Sequence, residues 1–200
     1  MIRTILSAHS RLYPMAAPDS SWLRSALTLA VIGSGCGSQA SPAGAVVPQY
    51  NRDTGRLTSI EVDRDKDGKF EARAFMDGTR IQRIEIDENA DGKPERWEYY
   101  SPLATSGSSD AVIVRAEEAS DTTGKVARWE YYEAGQITRV DEDVDENGRV
   151  DKWEKYRAGR LASVELDLSG SGKPERRLVY QSDGSVTTQA ISDATRVAGS

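Results

Sequence analysis

The chain repeats itself. Gly68, Gly92, Gly124, Gly148 and Gly172 each precede a lysine or arginine, at spacings of 24, 32, 24 and 24 residues. The one long step coincides with a Ser/Gly-rich stretch at 101–110, which accounts for the eight additional residues. The neighbours recur too. Upstream stand Ile60 to Asp63, Ile84 to Asp87, Val140 to Asp143 and Val164 to Asp167, each preceded three residues earlier by Leu57, Ile81, Ile137 or Leu161. Downstream come Arg96-Trp97-Glu98-Tyr99-Tyr100, Arg128-Trp129-Glu130-Tyr131-Tyr132 and Lys152-Trp153-Glu154-Lys155-Tyr156. A unit of this size cannot enclose a core of its own, so copies must stack and bury one between them.

Within the unit, apolar and polar residues alternate and β-branched and aromatic residues are enriched, which is the signature of strands. Acidic Gly-containing loops and short turns at Gly55, Gly78, Gly135 and Gly159 separate those runs, giving strand, loop, strand, turn. The expected fold is all-β: five β-hairpin repeats over 49–186, interrupted by the insertion near 101–110 and forming a curved or solenoid-like antiparallel sheet of about ten strands. Trp97 with Tyr99, and Trp129 with Tyr131, fall on one strand face. Core packing is the preferred reading of that aromatic ladder, a carbohydrate- or polymer-binding stripe the alternative. The pattern resembles the tandem β-hairpin repeats of MORN-type and YD-type bacterial proteins, which implies a repeat array over roughly 50–186.

The acidic loops are the candidate functional sites. Loop one is Asp63-x-Asp65-x-Asp67-Gly68-x-x-Glu71, loop two Asp87-x-Asn89-x-Asp91-Gly92-x-x-Glu95 and loop four Asp143-x-Asp145-x-Asn147-Gly148-x-x-Asp151. Loop five, Asp167 to Glu175, is diluted by Ser169 and Ser171, and loop three lacks the pattern. Hard oxygen donors at alternate positions, followed by a glycine that lets the chain turn, suit Ca²⁺. The backbone carbonyls of Lys69, Lys93 and Arg149 would add a further oxygen each. Glu98 and Glu154 occupy the twelfth place, as in an EF-hand. A 24-residue period leaves no room for paired helices, however. The spacing resembles the Asp-rich hairpin loops of integrin-type β-propellers, which implies Glu71, Glu95 and Asp151 as ligands and Glu98 and Glu154 as strand residues. A dockerin-like loop followed by one helix is the structural alternative. The metal-free alternative is that Asp, Asn and Gly here serve only as turn formers.

The N-terminal stretch carries an address. Arg24 precedes a short apolar run, Ala26 to Ile32, and then Gly33, Ser34, Gly35 and Cys36. The run is too short to span a bilayer. Residues 33–36 resemble a bacterial lipobox, which implies cleavage before Cys36 and a lipid on its sulfur. Residues 1–35 are thus expected to be a signal peptide, with Met15 a plausible true start, and 36–48 a flexible lipidated tether. Gly37 favours the outer membrane over the inner. The tail, 187–200, is expected to be disordered.

Composition narrows the function. Residues 1–35 hold Arg3, Arg11 and Arg24 against Asp19, so their removal takes the net charge from −6 to −8. That excludes a nucleic-acid footprint. Cys36 is the only cysteine and His9 the only histidine, leaving no intramolecular disulfide and no histidine for catalysis or zinc after cleavage. The expectation is a non-enzymatic, lipid-anchored scaffold or binding module of the cell envelope, with Ca²⁺ in its loops and an envelope protein or surface polymer as partner. The competing expectation is an enzyme acting on polysaccharide through paired carboxylates, with the aromatic stripe as sugar platform.

Overall fold

The computed structural model describes residues 45–102 and 111–191. The strands are β1 (Ala45–Tyr50), β2 (Leu57–Asp63), β3 (Ala72–Asp77), β4 (Arg80–Ile86), β5 (Arg96–Pro102), β6 (Ala111–Ala119), β7 (Val126–Glu133), β8 (Gln136–Glu142), β9 (Lys152–Arg157), β10 (Arg160–Leu166), β11 (Arg176–Tyr180) and β12 (Val186–Ala190). Each pairs antiparallel with the next, so chain order is also the order across one open sheet with β1 and β12 at its edges. The chain is all-β, as its alternation requires. No helix occurs among the described residues: Lys152–Arg157, the segment open to a dockerin-like helix, is strand β9.

The sheet extends past both ends of the expected repeat region. Ala45–Tyr50 lies largely in the expected tether, yet Val46 pairs with Val62 and packs on the core. Pro48 is tolerated because an edge strand needs no N–H on its outer side. At the other end Val186–Ala190 is exposed throughout and held by its ladder to β11 rather than by burial. The signal segment, Cys36 and the tail beyond residue 191 lie outside the described residues. Of the insertion, Ser101 and Pro102 finish β5, and 103–110 lie outside them as well.

One irregularity recurs and explains the three-residue aliphatic spacing. At the Gly-turn hairpins β1–β2, β3–β4, β7–β8 and β9–β10, and at β5–β6, the register skips a residue: Thr58, Gln82, Thr138, Ala162 and Val114 have no partner of their own. A bulge of this kind inserts one residue and restores the facing of those beyond it. Ile81 therefore returns to the face of Ile84, opposite Met76, and Ile137 to that of Val140, opposite Tyr132.

The inner face changes character along the sheet. Across β2, β3 and β4 it is apolar, with Ile60, Val62, Ala72, Ala74, Ile84 and Ile86 buried. From β5 onward the equivalent rows turn ionic. Ala72 and Ala74 are replaced by Arg96 and Glu98, then Arg128 and Glu130, then Lys152 and Glu154. One cross-strand row reads Arg96, Glu118, Arg128, Glu142, Lys152, with sign alternating at every step. The adjacent row alternates acid and apolar: Glu98, Ala116, Glu130, Val140, Glu154, Val164. Tyr100, Tyr132 and Tyr156 donate to Glu98, Glu130 and Glu154 at 2.7, 2.7 and 2.6 Å.

Trp97, Tyr99, Trp129 and Tyr131 are not core. They stand half-buried on the opposite face, because the side chains between them point inward and close the core with Arg96, Glu98 and Glu130. There Phe75, Tyr99 and Tyr131 lie under the guanidinium groups of Arg83, Arg115 and Arg139, 4.3, 4.5 and 5.3 Å from the ring centres.

Candidate metal centres

In a meander, alternate connections fall at the same end of the strands. The loops β2–β3, β4–β5, β6–β7, β8–β9 and β10–β11 therefore share one rim of the sheet, and the Gly turns share the other. Each of loops one, two, four and five starts from a buried aspartate that ends or directly follows a strand: Asp63, Asp87, Asp143 or Asp167. Its carboxylate folds the loop over itself. Asp63 accepts from the Lys66 and Gly68 amides at 2.6 and 3.0 Å. Asp87 accepts from Asp91 and Gly92 at 3.1 and 2.8 Å, and Asp143 from Asn147 and Gly148 at 3.0 and 2.7 Å.

This wrapping requires two left-handed residues per loop. The sixth is the repeated glycine, with φ of 91°, 89° and 88° at Gly68, Gly92 and Gly148. The fourth is Lys66, Ala90 or Glu146 at φ 66°, 54° and 58°, and loop five places Gly170 there.

The ninth residue closes the ring. Glu71, itself buried, accepts from the Arg64 amide at 2.6 Å, and Glu95 accepts from Glu88 at 2.9 Å. Asp151 accepts from Val144 and Asp145 at 3.2 and 3.3 Å. Carboxylate oxygens thus converge at three places. Asp63, Asp65, Asp67 and Glu71 form one group, Asp87, Asp91 and Glu95 a second, and Asp143, Asp145 and Asp151 a third, each with one oxygen per residue mutually within 4.8 Å. An ionised carboxylate has about four acceptor positions, so those bonded to backbone amides retain lone pairs for a cation. Burial, followed by the nearby charges of Asp87 and Asp91, pushes the Glu95 carboxyl up; burial with Asp145 and Asp143 does the same to Asp151. Such groups could hold a metal ion.

The two asparagines of the expected ligand set are engaged differently. The Asn89 amide nitrogen donates to Glu95 at 2.5 Å and its oxygen accepts from Asp91 at 2.8 Å. The Asn147 oxygen accepts from the Arg149 amide at 2.9 Å. In loop five the Ser169 hydroxyl bonds to Glu175 in place of an acid–acid approach. Loop three is a plain turn in which Ser120 Oγ accepts from Thr122 and Thr123 at 3.0 and 3.3 Å. Glu98 and Glu154 sit on strands with their carboxylates on the inner face.

Sequence reasoning missed the inner-face ion network. Arg96 is 4% exposed and donates to Glu98 and Glu130 at 3.1 and 2.8 Å. Its remaining Nη1 is buried without a hydrogen bond, 3.7 Å from Glu118. Burial opposes the charge on Glu130, but Arg96, Tyr132 and Arg128 together hold its carboxyl below the ordinary range. Glu118 lies above that range because burial outweighs Arg96 and Arg128. The signal was present in the recurring Arg/Lys-Trp-Glu triplet, whose first and third members share the face of the neighbouring aliphatics.

No protein-family profile matches the chain, and no curated protein matches it in sequence. Among solved structures it is similar to a GtfA/B complex, at 18% identity over 62% of this chain and 22% of that one, with a TM-score of 0.40. It is also similar to the pneumococcal O-GlcNAc transferase GtfA in complex with UDP and GlcNAc, at 14% identity over 60% and 22%, with a TM-score of 0.39. The chain spans about a fifth of the length of these structures. Likeness at this level assigns neither a fold family nor an activity.

Proposed function

We propose that this chain is an exported lipoprotein, anchored through Cys36 in the cell envelope, whose sheet is a non-enzymatic binding module stiffened by Ca²⁺. The observation that carries the reading is the convergence of carboxylates at three loops on one rim of the sheet. All-oxygen carboxylate donor sets favour Ca²⁺ over softer metals. Each ion would tie a strand end to the start of the next strand, fixing the hairpin at its loop. The lipobox-like Gly33 to Cys36 supports export and anchoring, with the outer membrane favoured. Its partner would be an envelope protein or surface polymer.

The competing enzyme reading has less support. The buried glutamates Glu98, Glu130 and Glu154 recur by repeat and are each bonded to a tyrosine, so they form rungs of a ladder rather than a singular pair.

Calorimetric titration of the full chain with Ca²⁺ tests the metal sites. Saturable uptake of about three ions is expected, with Asp63→Asn, Asp87→Asn and Asp143→Asn each abolishing one. Absence of heat at millimolar Ca²⁺ would reduce the loops to turns. Cys36→Ser is expected to release the expressed protein from the membrane fraction; unchanged membrane retention would refute the anchor.

A further inference from the structure

The face opposite the core carries a second regularity. Trp97, Trp129 and Trp153 lie on alternate strands β5, β7 and β9 and fall in one cross-strand row. Between and beside them stand carboxylates, in the order Glu85, Trp97, Glu117, Trp129, Asp141, Trp153, Glu165. The tryptophans are half-buried, and their indole N–H groups donate to no described residue. In the adjoining row the aromatic rings are capped by Arg83, Arg115 and Arg139, whereas among the described residues no guanidinium lies over the three indoles.

We propose that this row binds a single strand of a neutral β-1,4-linked hexose polymer, one disaccharide per tryptophan. The inference takes the envelope-module reading as its setting and names the polymer that the module meets. Two strand spacings separate successive indoles, about 9.5 Å, close to the length of one such disaccharide. Sugar rings present C–H faces that stack on indoles, and hydroxyls that both donate and accept. Carboxylates and guanidinium groups alternate around each indole to answer them.

Charge selects the neutral polymer. Every carboxylate of the row is already paired: Glu85 with Arg83 at 2.8 Å, Glu117 with Arg115 at 2.9 Å, Asp141 with Arg139 at 2.6 Å and Glu165 with Arg177 at 2.6 Å. Among the described residues, the row offers hydrogen-bonding groups and no carboxylate without a cation beside it. Sheet twist selects a single strand. Neighbouring strands rotate by roughly 20–25°, so successive indoles differ by about 45°. A free chain can follow that rotation; a crystalline glycan surface cannot.

The test is titration of the full, unprocessed chain, in EDTA, with the soluble hexamer and dimer of β-1,4-linked glucose, read from the indole N–H resonances. EDTA separates this result from the calcium reading, since failure of the metal sites leaves the titration unchanged. The hexamer is expected to shift Trp97, Trp129 and Trp153, to leave Trp22 in place, and to bind about tenfold more tightly than the dimer. Trp129→Ala, at the centre of the row, is expected to weaken the hexamer by about tenfold. The proposal is overturned if millimolar hexamer moves none of the three indoles, if all four move alike, or if dimer and hexamer bind equally. The wild-type resonances decide the matter even if the variant fails to fold.

Discussion

The buried ion network makes a quantitative demand on Arg96. Among the described residues its guanidinium is the one cation bonded to Glu98, which is 2% exposed and otherwise held by the Tyr100 hydroxyl at 2.7 Å. Arg96→Met keeps the volume of the stem but strands Glu98 and removes one of three donors from Glu130, which keeps Arg128 at 3.1 Å and Tyr132 at 2.7 Å. Leaving a buried carboxylate uncompensated costs about 3–5 kcal/mol. In urea unfolding of the full chain at neutral pH, that is a drop in midpoint of roughly 2 M. The first repeat contains the remedy, because Ala72 and Ala74 occupy the places of Arg96 and Glu98. Adding Glu98→Leu to Arg96→Met removes the stranded charge, and the double variant is expected within about 1–2 kcal/mol of wild type. The two substitutions should then be non-additive by more than about 1 kcal/mol. A cost below about 1 kcal/mol for Arg96→Met, or a double variant that equals the sum of the singles, would refute this account of the inner face.

Other consequences follow from charge and backbone geometry. The Glu130 carboxyl is held below its ordinary range in the folded chain, so its stabilisation is complete above the unfolded carboxylate range and lost as pH falls through the folded pKa. Glu130→Gln should therefore lower the urea midpoint near neutrality, and the difference should vanish in acid. A pH-independent difference would contradict the assignment. Glu95 and Asp151 are pushed up, and Ca²⁺ must bind their ionised forms, so Ca²⁺ affinity should fall as pH drops through that raised range and binding should release protons. Calorimetry in buffers of different ionisation enthalpy detects this; zero proton release would count against both residues as ligands. Ala90 sits at φ 54°, in the place where loop five uses Gly170. Ala90→Gly relieves about 1–2 kcal/mol of strain and restores about 0.4–1 kcal/mol of unfolded-chain entropy. A gain of about 0.5–1 kcal/mol in thermal unfolding is expected, and a loss would be contrary.

The fold was legible because repetition and alternation describe the same object. A 24-residue unit of two short strands can bury its apolar side chains only against its own copies, and the chain-order sheet is the simplest way to do so. The loop groups were legible for a local reason. Asp63, Asp67 and Glu71 are within nine residues, so one turn geometry brings them together. What escaped depends on pairing across strands. The spacing of Leu57 to Ile60 and Ile81 to Ile84 fits neither a plain strand nor a turn until the bulge at Thr58 or Gln82 is known. The burial of Arg96 beneath half-exposed Trp97 inverts the usual preference of these residue types, and it depends on Glu130, 34 positions away, as well as on Glu98. At the edges Val186–Ala190 has no apolar alternation to read, because β11 supplies its hydrogen bonds and no core supplies burial.

The most direct test of calcium in the acidic loops is residue by residue. Gly68, Gly92 and Gly148 each donate a backbone N–H to the first aspartate of their loop, so any ion held there shifts their amide resonances. Gly124 lies in loop three, one of the two loops whose described residues form no acidic group, and serves as the internal control. Titrating the full chain with Ca²⁺ is predicted to move the three loop glycines saturably, in register with the heat of binding, while Gly124 stays still. Three unmoved glycines, or a uniform drift that includes Gly124, would contradict the account and leave the rim as a row of turns.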